Sequence, residues 1–289
     1  MTWPIGVLVA VGAVLAAYGW LEAGWLRTRV LEVHVAELPA ELDGLRIAHL
    51  SDFHFGAPLS RGNAAGERAA AWVAGRRPDI VCVTGDLVSH PRGEDRLRRV
   101  LALLGRPVVV LGNHDVALTR DPFSRASELG DLARATLLRD EATVVRVRGV
   151  LVQLVGVDPE GYPTGAKAPW ALVDSSVPLR LLLCHYPEIA WLLPAGMFHL
   201  TLAGHLHAGQ ISAPLPGRRV TLAHPRARLV SGLYATPGGP LHVSPGTGTT
   251  FVPFRVFARP EATELVLRGG TDPGREAARA GESRAARPV

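Results

Sequence analysis

Leu111-Gly112-Asn113-His114-Asp115 follows directly on a β-branched run, Pro107-Val108-Val109-Val110. Alone, this is a polar turn after a strand. What decides the reading is that four more apolar runs end in the same residue types. Ile47-Ala48-His49-Leu50-Ser51 runs into Asp52 and His54, and Ile80-Val81-Cys82-Val83-Thr84 runs into Gly85-Asp86. Arg180-Leu181-Leu182-Leu183-Cys184 stops at His185, and His199-Leu200-Thr201-Leu202-Ala203 stops at Gly204-His205-Leu206-His207. Short apolar runs bounded by turn residues read as buried strands. In open α/β sheets, ligands bind beyond the carboxyl ends of the strands. Five strand ends bearing Asp, Asn or His therefore describe one site assembled from five places.

Working outward, strand and helix patterns alternate from Leu45 to about Leu206, which argues for a layered α/β domain. Arg61 to Arg76 is Ala-rich and helix-compatible, and Leu97, Val100, Leu101 and Leu104 recur at i, i+3, i+4, i+7. Phe123 to Ala135 is expected to be helical, and Tyr186 to Leu193 to be a short helix entered through Pro187. Val144–Val147 and Val150–Val155, joined by Arg148-Gly149, read as a hairpin. After His207 the pattern changes to short strands with Pro- and Gly-rich turns: Ile211-Ser212, Arg228 to Tyr234, Leu241 to Ser244, Phe254 to Phe257 and Glu264 to Leu267. Two sheets are expected, an early parallel-rich one and a late, largely antiparallel one.

Trp3 to Leu21 carries no charge and is long enough to cross most of a bilayer core about 30 Å thick. It lacks a basic lead-in, a lipid-attachment cysteine and any small-x-small cleavage site better than Ala17-Tyr18-Gly19. A retained single-pass anchor over residues 1–25 is therefore expected rather than a cleaved signal peptide. Arg27 and Arg29 follow the span, and the positive-inside tendency then puts the catalytic domain on the cytoplasmic side. Residues 26–43 read as an extended connector, 44–268 as the catalytic domain and 269–289 as a disordered tail without apolar spacing. The net charge of +5 is almost wholly arginine, scattered along the chain, with Lys167 the only lysine. No nucleic-acid or protein partner is expected from it. Cys82 and Cys184 lie inside predicted strands and offer neither a disulfide framework nor a thiolate zinc motif.

At the strand ends the candidate ligands are Asp52, His54, Asp86, Asn113, His185, His205 and His207. Imidazole, carboxylate and amide donors without thiolate suit Mn, Fe, Zn or Co. Seven are too many for one tetrahedral site and suit two divalent ions sharing a bridging carboxylate. Two ions about 3.5–4 Å apart can clamp the attacking and leaving oxygens of a phosphoryl centre. Asp52 and His54, like His205 and His207, lie two apart, so in extended chain each pair projects to one face. Gly85, Gly112 and Gly204 each precede a candidate ligand, where close approach or positive φ is needed.

Asp52-x-His54, Gly85-Asp86, Gly112-Asn113-His114-Asp115, His185 and Gly204-His205-x-His207, in that order, resemble the calcineurin-like metallophosphoesterases over about Leu45 to Leu267. Leu50–Gly56, His185–Glu188, Gly204–Ile211, Val243–Thr249 and Arg259–Glu261 are similar to a membrane-associated bacterial branch. That branch includes UDP-2,3-diacylglucosamine pyrophosphatases of the lipid A pathway and related phosphodiesterases. Where the branch commonly carries Arg in a Val-Ser-Arg-Gly segment, this chain has Pro245. The resemblance implies a four-layer α/β sandwich, two mixed β-sheets flanked by helices. It implies one ion on Asp52, His54, Asp86 and His207, a second on Asp86, Asn113, His185 and His205, and Asp86 as the bridge. His114 then faces the scissile phosphate as acid, oriented by Asp115.

The expected activity is hydrolysis of a phosphodiester or pyrophosphate, lipid-linked or nucleotide-lipid, by a metal-activated water in one in-line step. Cyclic-nucleotide phosphodiesterase or phosphomonoesterase activity would use the same ligands, and a catalytically silent scaffold would be expected to have lost some of them. His34, His49, His90, His199, His224 and His242 match no motif and read as surface or satisfied core residues. The loops Pro122-Phe123 and Gly161 to Trp170 carry apolar residues suited to loop packing or to an acyl-binding rim.

Overall fold

The five apolar runs are strands in the computed structural model, which describes residues 3–119, 121–125, 129, 132, 134–161, 169–215 and 218–270. In chain order the elements are α1 (Trp3–Glu22), β1 (Arg27–Val35), β2 (Arg46–Leu50), α2 (Gly62–Arg76), β3 (Ile80–Thr84), α3 (Glu94–Leu104), β4 (Val108–Val110) and β5 (Thr136–Leu137). They continue with β6 (Glu141–Val147), β7 (Val150–Gly156), β8 (Leu179–Leu183), β9 (Leu200–Ala203), β10 (Ser212–Leu215), β11 (Arg218–Thr221), β12 (Gly232–Thr236), β13 (Gly239–Val243) and β14 (Glu261–Gly269). One sheet has the order β1-β14-β2-β3-β4-β5 and the other β12-β13-β9-β8-β7-β6, while β10 and β11 form a separate hairpin.

Strands β2, β3 and β4 run parallel, as do β7, β8, β9 and β13. Each group therefore brings its carboxyl ends to one edge, which is what gathers the polar strand ends. The sheets bury Ile47, Cys82 and Val110 against Leu154, Leu181 and Leu202. Helices α2 and α3 cover the outer face of the first sheet. The predicted stripe Leu97, Val100, Leu101 and Leu104 is wholly buried in a cluster with Leu50, Val83 and Val109. Each such side chain contributes about 1.5–3 kcal/mol on burial. Helix α2 comes in close through Ala65, Ala69 and Ala70, all fully buried. On the outer face of the second sheet, Pro187–Trp191 forms a 3-10 turn whose Ile189 and Ala190 pack with Val155 and Leu182. Among the described residues no α-helix covers that face.

Several expectations change. The sheets do not divide at His207: β14 returns to the first sheet, antiparallel to β2, and β13 joins the second sheet parallel to β9. The extended connector is an edge strand, β1, paired with β14 from Arg27↔Glu261 to Val35↔Gly269. Its alternation reflects Val33 and Val35 entering the core while their neighbours face out. Phe254–Phe257 forms no strand, only an isolated bridge between Ile211 and Val256. The described residues of the helix expected over Phe123–Ala135 are turn and irregular chain, and its remainder lies outside the described residues. So do residues 162–168 of the second apolar loop and 271–289 of the expected tail. Among the described residues no helix is long and apolar enough to cross a membrane. Cys82 and Cys184 are buried free thiols, both pushed up by desolvation.

Candidate metal centre

Strands β2, β3 and β9 end in sharp backbone turns rather than in extended chain. Asp52, His54, Asp86, His205 and His207 all have positive φ, between 47° and 78°. For non-glycine residues this costs about 1–3 kcal/mol each and persists only where the surroundings impose it. Asp52 N donates to Gly85 O, His54 N to Asp86 O and Gly204 N to His185 O, at 2.9, 2.9 and 3.1 Å, so neighbouring turns hold one another. The expected same-face projection of residues two apart is therefore replaced by left-handed kinks. Gly85 supplies a positive φ of 86°, whereas Gly112 and Gly204 are needed for space. A Cβ at Gly112 would strike the Asp86 carboxylate, and one at Gly204 would strike Ser51 Oγ and the Asp52 carboxylate.

The turns bring together two overlapping groups. Ligand atoms of Asp52, His54, Asp86 and His207 lie within 4.8 Å of one another, as do those of Asp86, His185 and His205. Asp86 belongs to both, and its Oδ2 is 3.3 Å from His54 Nε2 and 3.3 Å from His185 Nε2. His207 Nε2 is 3.3 Å from Asp52 Oδ1. Ring nitrogens also face ring nitrogens: His54 Nε2 and His207 Nε2 are 3.1 Å apart, and His205 Nδ1 and His185 Nε2 3.2 Å apart. Nitrogens aimed at a common point in this way fit a shared cation. Asn113 Oδ1 is buried and has no hydrogen-bond partner. A buried acceptor without a donor needs an explanation, and a cation meets that need.

The electrostatics agree. Burial pushes Asp86 up, but the His185, His54 and His114 rings outweigh it and hold the carboxyl well below the usual range. Asp52 is likewise held low against burial, chiefly by His207. Burial lowers His185, but Asp86 more than offsets this and raises it to about 9; His54 is raised by the same balance. At His207 and His205 desolvation wins, leaving them near 4 and 3. Charged carboxylates ringed by imidazoles create a strong demand for positive charge, which a divalent ion satisfies.

A further layer of contacts orients these side chains. His185 Nδ1 donates to Thr84 O at 2.8 Å, which turns Nε2 toward Asp86, and His54 Nδ1 bonds Ser89 Oγ at 2.9 Å. Such contacts set the ring tautomer of a ligating histidine. The guanidinium of Arg255 is fully buried and donates to Pro245 O, Gly248 O and Ala258 O at 2.6–2.9 Å, with one nitrogen 3.4 Å from His207 Nδ1. Burial lowers it to about 10, so it stays cationic at neutral pH. It sits against the segment that carries Pro245.

The expected role of Asp115 changes. Its carboxylate accepts from the backbone of Leu87, Val88 and Gly112 at 2.8–3.2 Å, pinning the loop, and burial raises it to about 7. The acid beside His114 is Asp121, whose Oδ2 is 3.8 Å from His114 Nδ1. The His114 ring lies edge-on to His54, with ring centres 4.9 Å apart. Sequence reasoning missed Asp121, Arg255, Thr84 and Ser89, none of which sits in a motif. Of the histidines read as bland, His90 and His199 accept from the backbone of Arg92 and Arg180. His49 and His242 form a buried pair, Nδ1 to Nδ1 at 2.7 Å, and His49 Nε2 reaches Thr84 Oγ1 at 2.9 Å. His49 is a satisfied core residue, whereas His242 Nε2 is buried without a partner; the network adds a link through Thr84 to His185.

The family model described as Calcineurin-like phosphoesterase matches residues 45–209 of this chain. The phosphodiesterase YaeI of Escherichia coli (strain K12) is 26% identical over 265 residues, covering 88% of this chain and 94% of that protein. A Danio rerio protein named "Transmembrane protein with metallophosphoesterase domain" is 30% identical over 275 residues, 89% of this chain and 61% of its own length. The UDP-2,3-diacylglucosamine pyrophosphatase LpxG of Chlamydia trachomatis is 30% identical over 149 residues, 47% of this chain and 45% of that protein.

Proposed function

Since this chain belongs to the calcineurin-like phosphoesterase family and is a phosphoester hydrolase, we propose that it is a phosphodiesterase or pyrophosphatase acting from the membrane on a lipid-linked or nucleotide-lipid substrate, UDP-2,3-diacylglucosamine being the type. The observation that carries the reading is the sharing of Asp86 Oδ2 between His54 and His185, at 3.3 Å from each. In this reading Asp52, His54, Asp86 and His207 hold one divalent ion, and Asp86, Asn113, His185 and His205 hold the other. Bound ions supply Lewis acidity at the phosphoryl oxygens and bring the pKa of a coordinated water toward neutrality.

The chain's own groups do the rest. His114 is the proton carrier for the leaving oxygen. Burial lowers its pKa, and Asp86 and Asp121 oppose that shift. An anionic phosphate beside the ring adds to their pull. Asp115 keeps the loop from Gly112 closed on Leu87 and Val88. In this reading the attacking group is water, in a single in-line step, so no phosphoenzyme should form.

Support for the membrane comes from α1, where Val7, Leu8, Val9, Val11, Val14 and Leu15 are all more than half exposed. The name of the Danio rerio relative, a transmembrane protein, points the same way. The far end of α1 is seated on the segment that carries Arg255. Gly19 O accepts Arg255 N at 2.9 Å, and the Glu22 carboxylate accepts Phe257 N and Ala258 N at 3.0 and 2.7 Å. Anchor and site thus share one loop, and Arg27 and Arg29 favour a cytoplasmic catalytic domain.

The test is metal-stripped protein restored with Mn, Fe, Zn or Co and offered bis-p-nitrophenyl phosphate, UDP-diacylglucosamine, cyclic AMP and a monoester. Metal-dependent turnover is expected, fastest on UDP-diacylglucosamine. Preference for cyclic AMP or the monoester moves the assignment to those activities, and no turnover of any of them removes the enzyme.

A further inference from the structure

Beside the metal cluster lies a cavity of about 430 Å³ that His205 and His207 help to line. A phosphoryl group held at the cluster leaves this volume unfilled, and it falls within the range of about 300–1,000 Å³ usual for organic ligands. Its remaining walls include Ile211, Leu222, Ala223, His224, Phe251 and Val252. Leu222 is 72% exposed, Phe251 49% and Val252 39%, so three large apolar side chains converge, uncovered, on one hollow next to the site. Scattered exposed apolar residues are ordinary, but a clustered patch at a site marks a binding surface.

The polar groups narrow the occupant. No Lys, Arg, Asp or Glu is among the described lining residues, so the hollow does not suit a further phosphate or a sugar acid. The side chains that could read a nucleobase are few: Gln210 is already engaged, its Nε2 donating to Thr250 O at 2.7 Å and its Oε1 accepting from Thr250 N at 3.0 Å, and the His224 ring lies against His205 with ring centres 5.5 Å apart. A base in the hollow would leave most of its hydrogen-bonding edge unsatisfied. Hydrocarbon would not. The hollow also adjoins α1, because the chain continues from Val252 through Phe254 to Phe257, which packs on Tyr18 of that helix with ring centres 6.1 Å apart.

We propose that this cavity binds a hydrocarbon chain of the substrate, so that the phosphorus of an amphiphilic phosphoester lies at the metals while its chain lies between Leu222 and Phe251. The inference rests on the phosphodiesterase reading above and adds the place where the apolar part is held.

Full-length protein in lipid nanodiscs, loaded with manganese, is offered alkyl 4-nitrophenyl phosphate diesters from methyl to octyl, below their micellar concentrations. For a chain that leaves water, kcat/KM is expected to rise about 2–4-fold per methylene from butyl onward. Ala223→Trp, which fills the hollow from an exposed backbone position, and Ala223→Asp, which charges it, are each expected to cut the octyl-to-methyl ratio by about tenfold or more. The ratio compares two substrates on one protein preparation, so a reduced folded fraction cancels. Turnover of every ester with a flat chain-length profile overturns the proposal and leaves the phosphodiesterase reading intact. No turnover of any ester sinks that reading itself. A steep profile surviving both substitutions puts the chain elsewhere and overturns the assignment to this cavity.

Discussion

Replacing Asn113 by leucine separates a metal ligand from a structural amide, because the two roles predict opposite signs. Asn113 Oδ1 is buried and accepts no hydrogen bond from the chain. An unsatisfied buried acceptor costs about 1–3 kcal/mol, and leucine has similar volume and no such acceptor. Chelator-treated Asn113→Leu is therefore expected to be more stable than the parent by about 1–2 kcal/mol. In a domain of this size that is a rise in Tm of roughly 2–8 °C. In excess manganese the order should reverse. If losing the ligand weakens binding about a hundredfold, it removes about 2.7 kcal/mol of metal-dependent stabilisation at fixed metal concentration. Thermal unfolding of both proteins in chelator and in manganese gives all four values. A variant that melts lower in chelator while keeping the full metal-dependent rise would refute the reasoning, since that is the behaviour of an amide that merely holds its loop.

His114→Ala keeps every candidate ligand, and its backbone N still donates to Asp86 Oδ1; both ions should remain by metal analysis while kcat falls about 10²–10⁴-fold. Parental turnover by that variant removes His114 from the mechanism. Arg255→Met leaves the buried carbonyls of Pro245, Gly248 and Ala258 without their donor and should cost about 1–3 kcal/mol for each carbonyl left unpaired, read in urea unfolding. Arg255→Lys should rescue little, because one ammonium cannot reproduce the planar fork. Glu264 is a buried carboxylate gripped by Arg46 and Arg76 at 2.7 and 2.6 Å. Burial raises its pKa, but the hydrogen bonds from both arginines prevail and lower it below its usual 4.5. A depressed acid contributes stability above its unfolded pKa and loses it as pH falls through the folded value. Glu264→Gln should accordingly lower stability at neutral pH and flatten the acid limb of the stability profile. An acid limb identical to the parent's would show that the clamp contributes nothing.

The strands that carry the site were legible because their information is local. Runs such as Ile80–Val83 and Val108–Val110 are apolar throughout, as strands buried on both faces must be, and the residue ending each run announces its chemistry without reference to the rest of the chain. The seven candidate ligands could be named from that pattern, and the structure gathers six of them, Asp52, His54, Asp86, His185, His205 and His207, into two overlapping groups. Partners that meet only across long loops left no such trace. Strand β1 and strand β14 lie more than 200 positions apart and pair along their full length, yet each alone reads as a modest alternating stretch. Arg255 looks like any surface arginine until the loop from Val243 folds its carbonyls around it. The motif points to Asp115 as the partner of His114 and nothing marks Asp121; tertiary packing turned the first onto three backbone amides and put the second beside His114. Hydrophobic patterning and strand-end chemistry are properties of a segment, and the sequence by itself determined those. Sheet order, the left-handed kinks at the ligands and the choice of which carboxylate meets which ring depend on contacts between segments, so only the folded chain could decide them.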